Sequence, residues 1–562
     1  MKEKLSELIL QSLQEAFPEL NDTVSVSFQV PKDKSNGDLS TNVAMQLAKK
    51  LRKNPKELAQ VIADNIAAAN IVERVEVAGA GFVNVFLFKE DIFSKLDTMI
   101  EQAGAYGQFA KTGKKINLEY VSVNPTGDLH IGHARGAVYG DVIGNLLQKT
   151  GYEVTKEYYI NDAGNQITKL GESVDARLRQ LQGEDVAMPE DGYHADDIRD
   201  IAQALLDGEQ TQLATLTDDK ERLAFLSDFA LDYELAKIKK DLSLLNIEHD
   251  VWFSERTLYQ DGSIDEVLTR LKARDMVYEE DEALWLKSTT YGDDKDRVLI
   301  KSDGSYTYLT PDIAYHVNKL DRLGANVANK DERSNEVGLI DVLGGDHHGY
   351  VARMKAALQA LGYAEDILRA KLIQMVGFIK DGQEVKMSKR SGNLITMREL
   401  VAEVGADAVR YYFTMRSCDT PLDFDMTLAK EESSNNPVYY AQYAYARIAS
   451  ILRNAETTLK TEDFVLNGDY SLLTHEKERD LANKLNQYED MLVGASAKLE
   501  PFKVTNYIQE LAGTFHAFYN AVHVIDAENV ALTEQRVKLL LATKSVLRSS
   551  FALVGIRALE TM

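Results

Sequence analysis

Residues 115–136, KINLEYVSVNPTGDLHIGHARG, constrain the fold more tightly than any other stretch of this 562-residue chain. The run 115–124 has the apolar content of a buried strand and opens into a turn carrying Pro125 and Gly127. A helix is expected from about His130 to Leu147. Strand, turn and helix in that order begin a doubly wound α/β unit, whose ligands bind beyond the carboxyl ends of the strands. The run GYEVTKEYYI, residues 151–160, supplies the next strand and the βαβ order expected of parallel pairing.

The turn is also chemically pointed. Gly127, Gly132 and Gly136 allow a flat ring or a phosphate to approach where a Cβ would clash. The helix start offers unpaired N–H groups and the positive end of a dipole. His130 and His133 lie one turn apart, so both imidazoles can donate to a phosphoryl group whose charge changes under attack. The competing interpretation is a capped helix with incidental histidines. A second segment shifts the balance: QEVKMSKRSGNLIT places Lys386, Ser388, Lys389 and Arg390 on a loop after an expected β-hairpin, MVGFIKDGQEV. Such cations suit a triphosphate and departing pyrophosphate, because nucleotidyl transfer needs alignment and charge stabilisation more than covalent catalysis. The pattern is not the Walker loop, which requires Gly-x-x-x-x-Gly-Lys-Ser/Thr.

Around this centre the chain divides. Its length calls for three or four domains. Residues 2–17 read as an amphipathic helix, 24–30 as an alternating strand, 42–51 and the stretch from Pro55 as helices, and 72–77 with 82–88 as paired strands. The acidic stretch 171–234 holds 17 acidic and 5 basic side chains and reads as a largely helical insertion with a solvated face. Strands are expected again at 283–287, 306–309, 338–343 and 371–378. From Thr427 onward only helical patterns occur, which implies a helical bundle. Net charge is −24, and taken alone it argues against a nucleic-acid partner, although a global sum does not describe a local surface. The single Cys418 excludes an intrachain disulfide framework and a multi-cysteine zinc site, and it fits a reducing cytoplasm. No signal peptide or apolar run long enough to cross a bilayer is evident.

HIGH at 130–133 and KMSKR at 386–390 are similar to the two signatures of class I aminoacyl-tRNA synthetases. EYVSVNPTGDLHIGHARGAVYGD, YYINDAGNQI, LGGDHHGYVARM, RSCDTPLDFD and NPVYYAQYAYARI resemble the arginyl branch of bacterial type, across essentially the whole chain. In the closing GIRALETM, Leu559 stands where that branch usually has proline, which implies a small local change in the final turn.

The resemblance implies an α/β fold: a Rossmann-like class I synthetase catalytic domain, an N-terminal α+β domain and a C-terminal all-helical anticodon-binding bundle. Residues 1–110 would grip the outer corner of tRNA, 111–390 would be catalytic with the insertion near 171–235, 391–430 would connect, and 431–562 would bind the anticodon. It implies ATP-dependent activation of L-arginine and transfer to the terminal adenosine of tRNA(Arg). His130, His133, Lys386 and Lys389 would be catalytic. Glu119, Ser122, Asn124, His130, Tyr308 and Asp312 would line the arginine pocket, since a guanidinium seeks carboxylates and amides in fixed geometry. One carboxylate would take the guanidinium and another the α-ammonium, with the assignment open. Glu119 also suits an ordinary strand and Asp312 a helix cap.

Gly127, Gly132, His133, Gly345, Asp346, His347, Met375, Val376 and Lys389 would serve ATP. The adjacent Asp346, His347 and His348 invite a metal interpretation, but neighbouring side chains rarely converge on one ion. Mg2+ would come with the ATP phosphates, and neither zinc nor an organic cofactor is expected. Asn36, Tyr440, Tyr443 and Met562 are the candidate tRNA contacts. Tyr439, Tyr440, Tyr443 and Tyr445 form an aromatic cluster whose rings suit stacking on unstacked anticodon bases, but Tyr439 and Tyr443 are also core-spaced, so most are expected inside and one or two at the RNA surface. A cytoplasmic monomer without DNA or membrane partners completes the expectation. The alternatives are a non-catalytic tRNA-binding paralogue, which would be expected to lose His130, His133, Lys389 or the pocket carboxylates, and a small-molecule adenylyltransferase, which is usually much shorter. Among related branches, cysteinyl enzymes ordinarily need zinc ligands, and glutamyl enzymes should favour cationic pockets.

Overall fold

The computed structural model describes residues 1–18, 20, 24–31, 33–325, 337–384, 395–459 and 466–562. Its centre is a five-stranded parallel sheet of β1 (Lys115–Tyr120), β2 (Glu153–Ile160), β3 (Val251–Ser254), β4 (Val337–Gly344) and β5 (Leu368–Ile373), in the order β5-β4-β1-β2-β3. The order reverses between β1 and β4, and the crevice beyond their carboxyl ends is where such sheets bind ligands. On one face lies α1 (Ile131–Lys149), packed so closely that a Cβ at Gly140 would come 2.4 Å from Tyr120 and one at Gly144 3.2 Å from Leu118. The other face carries α3 (Leu309–Leu323). Between β2 and β3 the chain makes a helical subdomain that ends in α2 (Asp219–Ser243). That subdomain has its own core, including Leu170, Val174, Ile198, Ile201 and Leu226, so most of its acidic side chains, Glu234 apart, are the outer coat of a folded unit.

The N-terminal residues form three helices (Lys2–Ala16, Val43–Leu51, Pro55–Ala68) over a three-stranded antiparallel sheet of Leu39–Thr41, Phe82–Phe86 and Arg74–Ala78. Pro55 opens its helix as expected, with the Asn54 side chain accepting from Lys56 N at 2.9 Å. The C-terminal residues form long helices at Pro437–Leu459, Phe502–Ala521 and Val530–Val554 with two shorter ones between. The two ends of the chain meet: Asp38 holds Arg479 at 2.6 Å and Asn483 at 3.0 Å. Among the described residues no helix is long and apolar enough to cross a membrane.

Several expected strands are corrected. Residues 24–30 make only one bridge, Gln29 with Ser40, and Pro31 cannot donate to extend it. Residues 306–309 are not a strand: only Tyr306 bridges, to Ile300, before α3 begins. Residues 371–378 are two strands of different sheets, since β5 ends at Ile373 and a new strand, Val376–Lys380, pairs with Leu422–Asp425. The hairpin expected there is present, with Gln383–Glu384 as its second arm.

Candidate active site

The first strand stops at Tyr120 because Val121 and Ser122 turn left-handed, with φ of 72° and 42°. A β-branched residue in that region is strained, and such strain persists only where the surroundings impose it. Here they do: Ser122 Oγ accepts from Tyr159 N at 3.1 Å, and Tyr158 OH donates to the Val123 carbonyl at 2.6 Å. The loop from Asn124 is thereby tied to β2 and delivered to the start of α1.

His130 is the N-cap of α1 and not its first residue. Its Nδ1 accepts from Gly132 N at 3.2 Å, and His133 Nδ1 accepts from His130 N at 3.3 Å. The rings stack with centroids 3.5 Å apart. Capping and ligand binding are therefore not rivals. An Nδ1 that accepts from backbone puts the proton of a neutral imidazole on Nε2, so both rings are set as Nε2–H donors. Gly127 has φ of 152°, a conformation that disfavours other residues. Among the described residues a Cβ at Gly136 would meet no atom within 4 Å, so their packing does not require glycine there.

Lys386 and Lys389 lie outside the described residues, and so do Ser388 and Arg390. The chain just downstream is anchored at the histidines: Met397 N donates to Leu129 O at 2.7 Å, Ile131 N to Ile395 O at 3.2 Å, and His130 bridges Thr396. Helix α4 (Met397–Val404) starts at this junction with Thr396 and Glu399 as a capping box.

Behind the loop, parallel register lines up Glu157, Glu119 and Asp341 across β2, β1 and β4. Three buried carboxylates in a row need cations, and α3 supplies them. Lys319, fully buried, reaches both Glu119 and Asp341, the latter at 3.2 Å. Burial works against its charge, yet Asp341 and Glu119 hold the ammonium above its usual value. His316 Nε2 lies 2.9 Å from Asp341. Arg322 clasps Glu157 at 2.7 and 2.9 Å, and Tyr315 OH donates to it at 3.0 Å. Glu119 is thus no ordinary strand residue.

Asp312 behaves differently. It sits in the first turns of α3, inside the helix, which overturns the helix-cap alternative. No described side chain hydrogen-bonds its carboxylate. Burial first, then Glu255 and Glu119, push its pKa up to about 7 against the pull of His316 and Lys319. Glu255, after β3, is likewise buried and raised by burial, and Tyr259 OH reaches it at 3.4 Å. Nothing in the sequence pattern marks Glu255. Tyr308, one turn before Asp312, is 80% exposed.

Gly345, Asp346 and His347 follow β4 directly, at the switch point, with His347 Nδ1 3.0 Å from Asp346. Among the described residues no three His, Cys, Asp or Glu side chains gather as a metal group. The Met375 side chain is exposed, its carbonyl accepts from Leu422 N at 3.3 Å, and Val376 enters the second sheet.

Ser122, Asn124, His130 and His133 follow the carboxyl end of β1 and the 345–347 turn that of β4, and Asp312 lies close enough to Glu119, near the end of β1, to feel its charge. Asn36, Tyr440, Tyr443 and Met562 lie on the other domains. The Asn36 side chain accepts from Asn84 at 3.2 Å, a structural bond inside its own domain. Only Tyr445 of the tyrosine cluster is buried, a correction to the expectation that most are inside; Tyr439, Tyr440 and Tyr443 are half-buried, and the latter two stand against His516. Met562 is exposed, while Glu560 nearby is held by Lys544 at 2.8 Å.

Three family descriptions match successive parts of the chain: "Arginyl tRNA synthetase N terminal domain" over 3–87, "tRNA synthetases class I (R), catalytic domain" over 95–412, and "DALR anticodon binding domain" over 441–562. An arginine–tRNA ligase of Bacillus thuringiensis is 49% identical over 543 residues, covering 96% of this chain and 94% of its own. One from Geobacillus thermodenitrificans is 46% identical, covering 100% and 99%. The chain belongs to the arginyl-tRNA synthetase family. A solved putative arginyl-tRNA synthetase of Campylobacter jejuni shares 35% identity with a TM-score of 0.74, covering 85% of this chain and all of its own. The Thermus thermophilus arginyl-tRNA synthetase, at 23% identity and a TM-score of 0.78 over both full chains, shows the same fold. As an arginyl-tRNA synthetase family member, the chain carries the class I catalytic domain on the five-stranded sheet, between the α+β and helical domains.

Proposed function

We propose that this chain activates L-arginine with ATP and transfers it to the 3′-terminal adenosine of tRNA(Arg). The arginine carboxylate attacks the α-phosphate, the bond to the β-phosphate breaks, and arginyl-adenylate and pyrophosphate form. A ribose hydroxyl of the tRNA terminus then attacks the adenylate carbonyl, loses its proton and expels AMP. No protein nucleophile is needed, because AMP is already an activated leaving group. His130 and His133 donate Nε2–H to the phosphoryl oxygens, and Lys386 and Lys389 neutralise the departing pyrophosphate. Gly127, Gly132 and the 345–347 turn accept the nucleotide, with Met375 and Val376 at the base. Mg2+ fits as a cation carried by ATP phosphates and water.

The observation that carries the choice of arginine is the half-buried Asp312 and the buried Glu255, acids without an ion-pair partner among the described residues. They suit a guanidinium, with Tyr308 closing over it. Glu119, already half-neutralised by Lys319, is left with Ser122 and Asn124 for the α-ammonium. The half-exposed Tyr440 and Tyr443, Met562 and the Asn36 turn are the proposed tRNA contacts. A cytoplasmic monomer is part of the proposal; light scattering at 62.8 kDa checks the monomer. Arginine-dependent ATP–pyrophosphate exchange, with and without tRNA and against a panel of amino acids, tests the whole. Exchange driven by another amino acid would overturn it.

A further inference from the structure

The helical subdomain between β2 and β3 has no part in the chemistry above, yet α2 touches the signature loop through charges. Lys237 on α2 lies 2.9 Å from Asp128, two residues before His130, and also 3.6 Å from Asp197 and 3.5 Å from Glu234. Arg398, the second residue of α4, grips Asp241 on α2 through Nε at 3.1 Å and Nη2 at 3.0 Å, and comes within 3.6 Å of Asp128. Lys237 and Asp241 are four residues apart, on one face of α2. Asp128 thus sits between two cations, one from the insertion and one from α4, while the insertion returns an anion to α4. The backbone bonds from Leu129 and Ile131 to Ile395 and Met397 run alongside.

A solvated acidic coat does not account for this arrangement. The Asp241 side chain is 2% exposed, that of Glu234 1% and that of Lys237 15%. Burial, then the acids beside it, hold Glu234 up to about 7 despite Lys237, and Glu234 Oε2 is buried with no partner among the described residues. Four acids against two cations are an inefficient way to stabilise an insertion. They do suit a junction whose two cations must sit at fixed places. The loop 124–129 buries only Pro125 and Leu129, so packing alone gives it little purchase.

We propose that the helical insertion is a positioning element for arginine activation, in which Lys237 and Asp241 of α2, acting through Asp128 and Arg398, lock the histidine-bearing loop against the start of α4. None of the four touches the reacting atoms. They act on where His130 and His133 stand, and misplacement by about 1 Å at such a site costs on the order of 100-fold in rate. The inference rests on the activation reaction proposed above.

The test compares wild type with Arg398→Met, Asp241→Asn and their double variant, and separately Lys237→Met. Single-turnover arginine activation, arginine KM, tRNA Kd and thermal melting are measured for each. The expected result is a fall in activation rate of about 10- to 100-fold for Arg398→Met and for the double variant, with arginine KM and tRNA Kd nearly unchanged in both and the melting temperature of the double variant near that of wild type. The double variant should then be no slower than the worse single one, because both break the same link. Arg398→Met leaves the buried Asp241 without its cation, whereas the double variant with Asp241→Asn removes that charge as well, so slow activation in a double variant that melts like wild type separates positioning from stability even if Lys237→Met melts early. An unchanged activation rate in a folded Arg398→Met, additive losses, or a loss confined to arginine KM would overturn the inference. A wild-type chain inert with arginine but active with another amino acid would instead overturn the proposed substrate, and the inference with it.

Discussion

Helix α3 faces two groups of carboxylates, and they are treated in opposite ways. Toward the sheet, Glu157, Glu119 and Asp341 are matched by Arg322, Lys319 and His316, with Tyr315 completing the hydrogen bonds. Burial would raise Asp341, but Lys319 and His316 hold it well below the ordinary carboxylate range. On the other side, burial raises both Asp312 and Glu255, helped at Asp312 by the charge of Glu255 and at Glu255 by that of Asp162, while Tyr159 and Tyr259 bond Glu255. The first group is a structural device: parallel pairing forces three acids into register, and the helix answers with cations. The second cannot be explained by stability, since a buried uncompensated acid opposes folding. Perturbed acids in a crevice are what a cationic substrate requires.

Substitutions on the two sides should therefore separate stability from activity. The largest effect is expected for Lys319→Met, which leaves Glu119 and Asp341 buried without their cation; it should cost about 3–5 kcal/mol by thermal or denaturant melting. A loss under about 1 kcal/mol would mean that the row is not held as described. Asp312→Asn should lower kcat/KM for arginine by about 100-fold, the scale of a lost charge partner in a desolvated pair. Its melting temperature should be unchanged or higher.

The pH dependence of wild type adds a sign. A carboxylate raised from 3.8 to about 7 favours the folded state in its protonated form. That contribution is present in acid and is lost as pH rises through this window. Arginine binding needs the ionised form, so kcat/KM for arginine should fall as pH drops below about 7, and Asp312→Asn should flatten that limb. A smaller effect is expected away from both groups: Tyr443→Ala should weaken tRNA affinity by about 1 kcal/mol, the low end for a lost base–tyrosine stack, and leave arginine KM alone.

The sequence disclosed one side of this contrast better than the other. The strand, turn and helix of residues 115–149 were legible because apolar content, Pro125 and the glycines all agree. So were the Pro55 helix and the antiparallel pair of Arg74–Ala78 and Phe82–Phe86. Glu119 and Asp312 were visible only through likeness to a family, and the choice between them was not visible at all. It depends on Lys319, whose partners exist only after β1 and β4 come into register. Glu255 carries no motif: it follows a four-residue strand, Val251–Ser254, too short and too half-buried to show a period. The break at Gln374 was hidden for a similar reason. Its backbone is bound by Cys418 O and by the Arg135 guanidinium, both distant in sequence.

The central claim is that an uncompensated Asp312 receives the guanidinium. Calorimetric titration of arginine at pH 7, repeated in buffers of different ionisation enthalpy, counts the protons released on binding. With a pKa up to about 7, Asp312 is about half protonated there, so about half a proton per site should leave as arginine binds, and Asp312→Asn should abolish the release. Binding of normal strength without proton release, or release undiminished in Asp312→Asn, would contradict the account.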